Sequence, residues 1–216
     1  MGEMTVLLHT CCAPCSSAII EALLQNDITP IIYYCNPNIY PREEYEIRKN
    51  ECTRYAQALG LEIVDADYDH ENWLAEMKGL ESEPERGGRC LKCFKLRLLR
   101  TAQYARARGI KVITTTLASS RWKSLDQINE AGQWACDQLG AVNFSRLGVE
   151  TVPPDDLVIW WNQNWRKGGL QERRNQILKE YDFYNQRYCG CEFSMPKDDL
   201  TSMQPSLTSD GMDSRE

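Results

Sequence analysis

An α/β fold with a mostly parallel sheet flanked by helices is what this sequence predicts, from three observations. Short β-rich runs alternate with amphipathic segments of helical period, the pattern of a parallel sheet covered on both faces. Most of the helical segments end near Gly or Asn, which suits helix stops. At 216 residues, 42% of them hydrophobic and 9% aromatic, the chain can bury one substantial core, so a single domain is expected.

Taken in order, the apolar run Thr5–His9 reads as the first strand and Ser16–Gln25 as the first helix. Strand Pro30–Tyr34 follows, then helix Glu43–Leu59 and strand Leu61–Ala66. Helix Leu91–Arg108 leads to strand Lys111–Thr115 and helix Ser124–Leu139, and a last helix is placed over Gly169–Tyr188. Residues 1–195 form the expected catalytic domain. Pro196–Glu216 has no aromatic residue and is rich in Ser, Asp and Met, so it reads as a disordered tail. No internal repeat is found. No stretch approaches the roughly 20 apolar residues of a membrane span, and Met1-Gly-Glu-Met lacks the regions of a signal peptide. A cytoplasmic protein with no membrane partner is expected.

The ten cysteines carry the main chemical signal, because clustered thiols in a reducing compartment more often bind metal or do redox chemistry than form structural disulfides. Cys11-Cys12-Ala-Pro-Cys15 occupies the first strand-to-helix loop, and ligands of open α/β sheets sit beyond the carboxyl ends of strands. No glycine lies between Thr5 and Ser17, so a phosphate-cradling loop is not expected there. Instead, thiols stand near a helix N-terminus, which favours thiolate.

Arg89-Cys90-Leu-Lys-Cys93, after Gly87-Gly88 and before a helix, forms the second cluster. Alone it fits a dithiol, half a zinc site or half an iron–sulfur site. Cys11 and Cys12 would complete a set of four thiolates with Cys90 and Cys93. Side chains of adjacent cysteines are expected to diverge, which is awkward on one zinc and easier on a larger cluster, so iron–sulfur is favoured over zinc. The third cluster is Tyr188-Cys-Gly-Cys191. A disulfide across so small a ring is strained and readily reduced, as a redox pair requires, although the spacing also permits two metal ligands. Cys52 and Cys136 read as packing residues, and Cys35 follows a strand.

The balance of 25 Lys and Arg against 31 Asp and Glu gives a net charge of −6. Even so, nine Lys or Arg and no acid fall between Arg86 and Lys111, with Arg166, Lys167, Arg173 and Arg174 beyond. Arg97, Arg100, Arg166 and Lys167 are candidate RNA phosphate contacts. Trp160, Trp161 and Trp165 either stack on bases or pack. Asn36-Pro37-Asn38 and Thr114–Ser120 bring polar groups to the same sheet edge.

The stretches LLHTCCAPCSS, YYCNPNIYPREEYEIRKNE, DYDHENWLAEMKGLESEPERGGRCLKCFKLRL, TTTLASSRWKSLDQI, NWRKGGLQERRNQI and YDFYNQRYCGCEFS resemble the cobalamin-independent epoxyqueuosine reductases, the QueH family, over roughly residues 5 to 194. The fold expected resembles the nucleotide α-hydrolase, PP-loop-like topology, with cysteine loops at the carboxyl edge of the strands. The resemblance implies the last step of queuosine synthesis in tRNA, removal of an epoxide oxygen to leave an alkene. It further implies a [4Fe–4S] cluster on Cys11, Cys12, Cys90 and Cys93, and a redox-active disulfide between Cys189 and Cys191. Cys15 is a candidate ligand of an additional iron ion, and His9, Asp67, Asp69 and His70 are candidate proton donors. Partners are then tRNA carrying epoxyqueuosine and an external electron donor. The competing reading is a zinc-stabilised RNA-binding module without redox activity, and a third is a thiol–disulfide reductase acting on proteins.

Overall fold

β1 (Met4–Thr10) lies at the centre of a five-stranded sheet of order β3-β2-β1-β4-β5 in the computed structural model, which describes residues 4–147 and 157–195. β2 (Ile28–Tyr34), β3 (Ile63–Asp65), β4 (Val112–Thr115) and β5 (Ile159–Trp160) complete the sheet, and every neighbouring pair is parallel. Val6, Leu7 and Leu8 have no exposed surface, because helices cover both faces of the central strand. These helices are α1 (Ala13–Leu24), α2 (Arg42–Ala58), α3 (His70–Met77), α4 (Gly88–Ala107), α5 (Leu125–Leu147) and α6 (Leu170–Glu180). Among the described residues no helix is long and apolar enough to cross a membrane.

The chain steps outward from β1 through β2 to β3, then returns to the other side of β1 for β4 and β5. The order therefore reverses between β1 and β4, and loops leaving two adjacent strands in opposite directions open a crevice there. The two loops touch: the Cys11 amide donates to Thr116 Oγ1 at 3.2 Å, from the short 3-10 turn Thr116–Ser119 that follows β4.

The four expected strands and five expected helices are present, with ends displaced by a few residues except in two helices. β5 and α3 are additional. β5 is only two residues long, and a pattern needs more than that to show. Its Trp160 ring lies where a side chain at Gly132 of α5 would stand, 2.2 Å from the ideal Cβ position, so the contact requires glycine.

Two helix ends are corrections: α5 runs on to Leu147 rather than stopping at Leu139, and the last helix stops short. It ends at Glu180 rather than Tyr188, and Asp182 adopts a left-handed conformation at φ 48°. Contacts with α2 pull the following segment out of helix: Phe183 packs edge-on against Tyr55 at 5.2 Å, Tyr184 Oη donates to Glu44 Oε2 at 2.7 Å, and Arg54 donates to the Tyr181 carbonyl at 2.9 Å. The chain then crosses the sheet edge, where Cys191 forms an antiparallel bridge with Ile39. The expected tail at 196–216 lies outside the described residues.

Candidate active site

At the end of β1, Cys12 is the N-cap of α1, held extended at φ −169° and ψ 157°, and Pro14 starts the first turn. The chain reverses at this point, so adjacent side chains converge. Cys11 Sγ lies 3.9 Å from Cys12 Sγ, and the Cys15 sulfur joins them with all three within 4.8 Å of one another. The expected divergence of neighbouring cysteines is thus overturned. Zn–S bonds of about 2.3 Å imply tetrahedral S···S edges of about 3.8 Å, so adjacency gives no argument against a single ion. Thiol donation from Cys12 and then Cys15, with the Thr116 hydroxyl and the Arg97 charge, holds the Cys11 thiol well below its ordinary value despite burial. Burial pushes Cys12 up, and the bond with Cys11 pushes Cys15 up to about 12. Cys11 is therefore the most readily ionised of the three, with the S–H groups of its neighbours as donors. Gln186 Nε2 adds a bond to Cys12 Sγ at 2.9 Å.

Cys90 lies in the first turn of α4, not ahead of it, and Cys93 in the second, and spacing by three places them on one face. Arg89, 2% exposed, anchors the preceding turn by donating to the carbonyls of Leu80, Glu81 and Glu83. Each sulfur accepts a hydrogen bond. The Arg86 amide donates to Cys90 at 3.3 Å, and the indole N–H of fully buried Trp73 donates to Cys93 at 3.3 Å.

The Cys189–Cys191 loop is clamped from three sides. The Tyr40 amide donates to the Gly190 carbonyl at 2.8 Å, Arg48 donates to the Tyr188 carbonyl at 3.1 Å, and Tyr188 Oη donates to the Tyr40 carbonyl. Arg48 is itself buried and paired with Glu44 at 2.6 Å. Gly190 sits at φ +98° with Ile39 Cγ1 only 2.8 Å from where a Cβ would stand, so the turn admits no side chain. Within the loop, donation from Cys191 and then the Lys123 charge hold the Cys189 thiol well below its ordinary value, while Cys191 is pushed up. Cys189 is the more acidic thiol of the pair.

A cavity of about 730 Å³ joins the three clusters: Cys11, Cys15, Cys90, Cys93, Cys189 and Cys191 all line it. Cys12 does not; it is 1% exposed. Among the described residues, Cys11, Cys12 and Cys15 are the cysteines close enough to share one ion without movement.

The other candidates fall elsewhere. His9 is buried in the core, where Nε2 donates to the Cys35 carbonyl at 3.1 Å and Nδ1 accepts from Thr115 Oγ1 at 2.7 Å. Burial, then Arg97, depresses it to about 3, so it stays neutral. His70 is stacked among Tyr40, Tyr68 and Trp73, with Nδ1 donating to the Pro37 carbonyl at 2.7 Å. Asp69 occupies the N-cap position of α3 without a side-chain capping bond, and Asp67 is exposed with its carbonyl bonded by Arg100. None of these four lines the cavity.

The acid-free basic run is not an unopposed face, because the acids arrive from other elements. Lys92 pairs with Glu76 of α3 at 3.2 Å, Lys95 with Glu130 of α5 at 2.7 Å, and Arg108 with Glu62 ahead of β3 at 3.1 Å. Arg97 is 3% exposed and donates to the Cys35 carbonyl and, at 2.5 Å, to Asn36 Oδ1. It braces the carboxyl edge of the sheet rather than presenting charge to solvent. Arg166 is half-buried and donates to the Lys123 carbonyl at 2.8 Å, whereas Lys167 is exposed. Trp160 and Trp165 are buried, and Trp161 packs edge-on against Trp165 at 5.4 Å, so packing is the outcome for this group. Cys52 and Cys136 are buried as expected, and so is Cys35.

Sequence reasoning missed Lys123, a cation of the cavity lining whose charge acts on the thiols. Burial disfavours its charge, but Cys189 and Cys11 outweigh that and raise it. The signal was a lone Lys in the loop after β4, at the strand edge where ligands bind. Lys123→Met should move the pH at which Cys189 is half-alkylated by iodoacetamide upward, because the thiolate loses a stabilising charge. An unshifted profile, read by mass spectrometry of the Cys189 peptide, would remove Lys123 from that role.

A family model described as epoxyqueuosine reductase QueH matches residues 6–197. A relative from Histophilus somni named epoxyqueuosine reductase QueH is 44% identical over 194 residues, covering 90% of this chain and 73% of its own. A Haemophilus influenzae relative of the same name is 44% identical with the same coverage, and one from Acinetobacter baylyi is 43% identical over 190 residues, 88% of this chain and 80% of the relative.

Proposed function

The chain belongs to the epoxyqueuosine reductase QueH family, and we propose that it reduces epoxyqueuosine in tRNA to queuosine, as a cytoplasmic enzyme. The observation that carries this reading is the convergence of three cysteine clusters, separated by up to 180 positions from Cys11 to Cys191, on one cavity at the strand-order reversal. Deoxygenation of an epoxide to an alkene consumes two electrons and two protons and releases water. A dithiol closing to a disulfide supplies two of each, and the Cys189–Cys191 pair lines the cavity.

The donor set fits an iron–sulfur cofactor: cysteines of two clusters at one cavity, with N–H donors to the sulfurs of Cys12, Cys90 and Cys93, beside cationic Lys123 and Arg86. Cys11, Cys12, Cys90 and Cys93 would hold a [4Fe–4S] cluster, and Cys15 an additional iron ion. When bound, such a group supplies single electrons and an electrophilic metal that polarises an epoxide oxygen. The chain's own residues do the rest. Lys123 holds Cys189 as thiolate, Cys191 keeps the proton, and Arg48 and Tyr40 fix the loop that carries both. The buried acceptors Asn38 Oδ1, Gln127 Oε1 and Gln186 Oε1 have no partner among the described residues and belong to residues lining the cavity, which suits a substrate rich in hydroxyl and amine donors. Arg100, Arg166 and Lys167 are the phosphate-contact candidates, and an external donor restores the dithiol. The sheet order is compatible with the PP-loop-like topology.

A zinc-stabilised RNA-binding module is the second reading, favoured by the Cys11, Cys12, Cys15 triangle. One experiment separates the two. Protein reconstituted anaerobically with iron and sulfide, given epoxyqueuosine-containing tRNA and a low-potential reductant, should yield nucleosides lighter by one oxygen. No mass change, with one zinc and no sulfide bound per chain, would establish the module instead.

A further inference from the structure

We propose that Trp122 is a stacking platform for one unpaired base of the RNA substrate, the neighbour in the strand of the nucleotide that enters the cavity; this rests on the reading of the substrate as tRNA. Trp122 is 79% exposed, whereas the next most exposed large hydrophobic side chain among the described residues, Ile159, reaches 58%. Its indole meets no ring, cation or hydrogen-bond partner among the described residues. It also lines the cavity. An indole left in water at the rim of a substrate cavity forgoes the apolar burial it would gain under a base.

The ring is presented by a braced segment. Arg86 Nε donates to the Trp122 carbonyl at 2.9 Å and its Nη2 to the Arg121 carbonyl at 3.0 Å, while Arg166 donates to the Lys123 carbonyl at 2.8 Å. Three consecutive carbonyls are thereby held by two guanidiniums. Such bracing lowers the ordering cost of binding. The next residue, Lys123, faces Cys189 and Cys11 inside the cavity, so the exposed ring and the reaction chamber are one residue apart.

The chemistry selects single-stranded RNA as the occupant. A nucleotide that enters a cavity of this size must leave its stack, and its neighbour then loses one face of stacking. An exposed indole replaces that face without regard to base identity. Arg121 beside it is exposed and unpaired among the described residues, a cation for the phosphate of the same nucleotide.

The test measures binding of three labelled RNAs cut from the substrate tRNA around the target nucleotide: intact, abasic 5′ of that nucleotide, and abasic 3′ of it. W122A should bind the intact RNA roughly 5- to 150-fold more weakly, the span of one base–aromatic stack, and W122F should recover most of that loss. One abasic RNA should lose a similar factor with the wild-type protein and nothing further with W122A. An unchanged thermal midpoint for W122A checks folding. Equal affinity of W122A and wild type for the intact RNA, or losses from W122A and each abasic site that multiply, would overturn the stacking contact and leave the proposed reaction standing. Wild-type protein that bound none of the three RNAs would overturn the RNA reading, and the stack with it.

Discussion

Serine at Cys189 or Cys191 should leave iron and sulfide content near the wild-type level while multiple turnover falls by roughly 100-fold or more, about 2.7 kcal/mol of lost transition-state stabilisation. A lone thiol cannot close the ring that stores two electrons, so it stalls as a mixed disulfide with an outside thiol. The two variants should differ in a second respect. Because Cys189 is the thiolate and Cys191 its donor, Cys191→Ser retains a hydroxyl donor and Lys123, and Cys189 stays alkylatable near neutral pH. In Cys189→Ser the remaining Cys191 loses the bond with Cys189 that chiefly raises it, but burial still raises its thiol and it should resist alkylation. Metal analysis, a steady-state assay and peptide mass spectrometry together read the outcome. Iron stripped in proportion to lost turnover would make both residues metal ligands.

Cys93→Ser should abolish iron loading together with activity, and Cys90→Ser should do the same. Each thiolate is a covalent anchor in the proposed ligand set, and serine offers a harder, more basic oxygen in its place. At Cys93 the loss is compounded, because the buried Trp73 N–H is built to meet a sulfur at 3.3 Å. The measurement is iron and sulfide per chain and visible absorption after anaerobic reconstitution. Retained absorption with full turnover would remove these residues from the set. Iron or zinc that survives in both variants and disappears in Cys15→Ser would move the metal to the Cys11, Cys12, Cys15 triangle.

Much of the fold was legible because element periodicity is local. The run Thr5–His9 and the pattern in Glu43–Leu59 signal strand and helix whatever lies elsewhere, and parallel strands with helical crossovers follow. The position of Cys11 in the first strand-to-helix loop was legible for the same reason. Helix α3 was not, since its buried face is set by Trp73 and Met77 in only eight residues. Nor was the end of α6, where contacts with Tyr55, Glu44 and Arg54 outweigh helical propensity.

The sequence by itself determined the family, the α/β class and which cysteines form clusters, because each is written in contiguous residues. Only the tertiary structure decided how those clusters meet and what surrounds them. Arg97 stands in the same basic run as Lys92, yet one is buried beneath the Cys35 carbonyl and the other pairs with Glu76 at the surface. Trp160 and Trp165 are core, while Trp122 is solvent-exposed. Lys123 became the counter-charge of a thiolate 66 positions away in the chain, at Cys189. The physical reason is common to all of these: burial and electrostatic environment depend on neighbours supplied by other elements, and the side chain's own sequence context does not contain them.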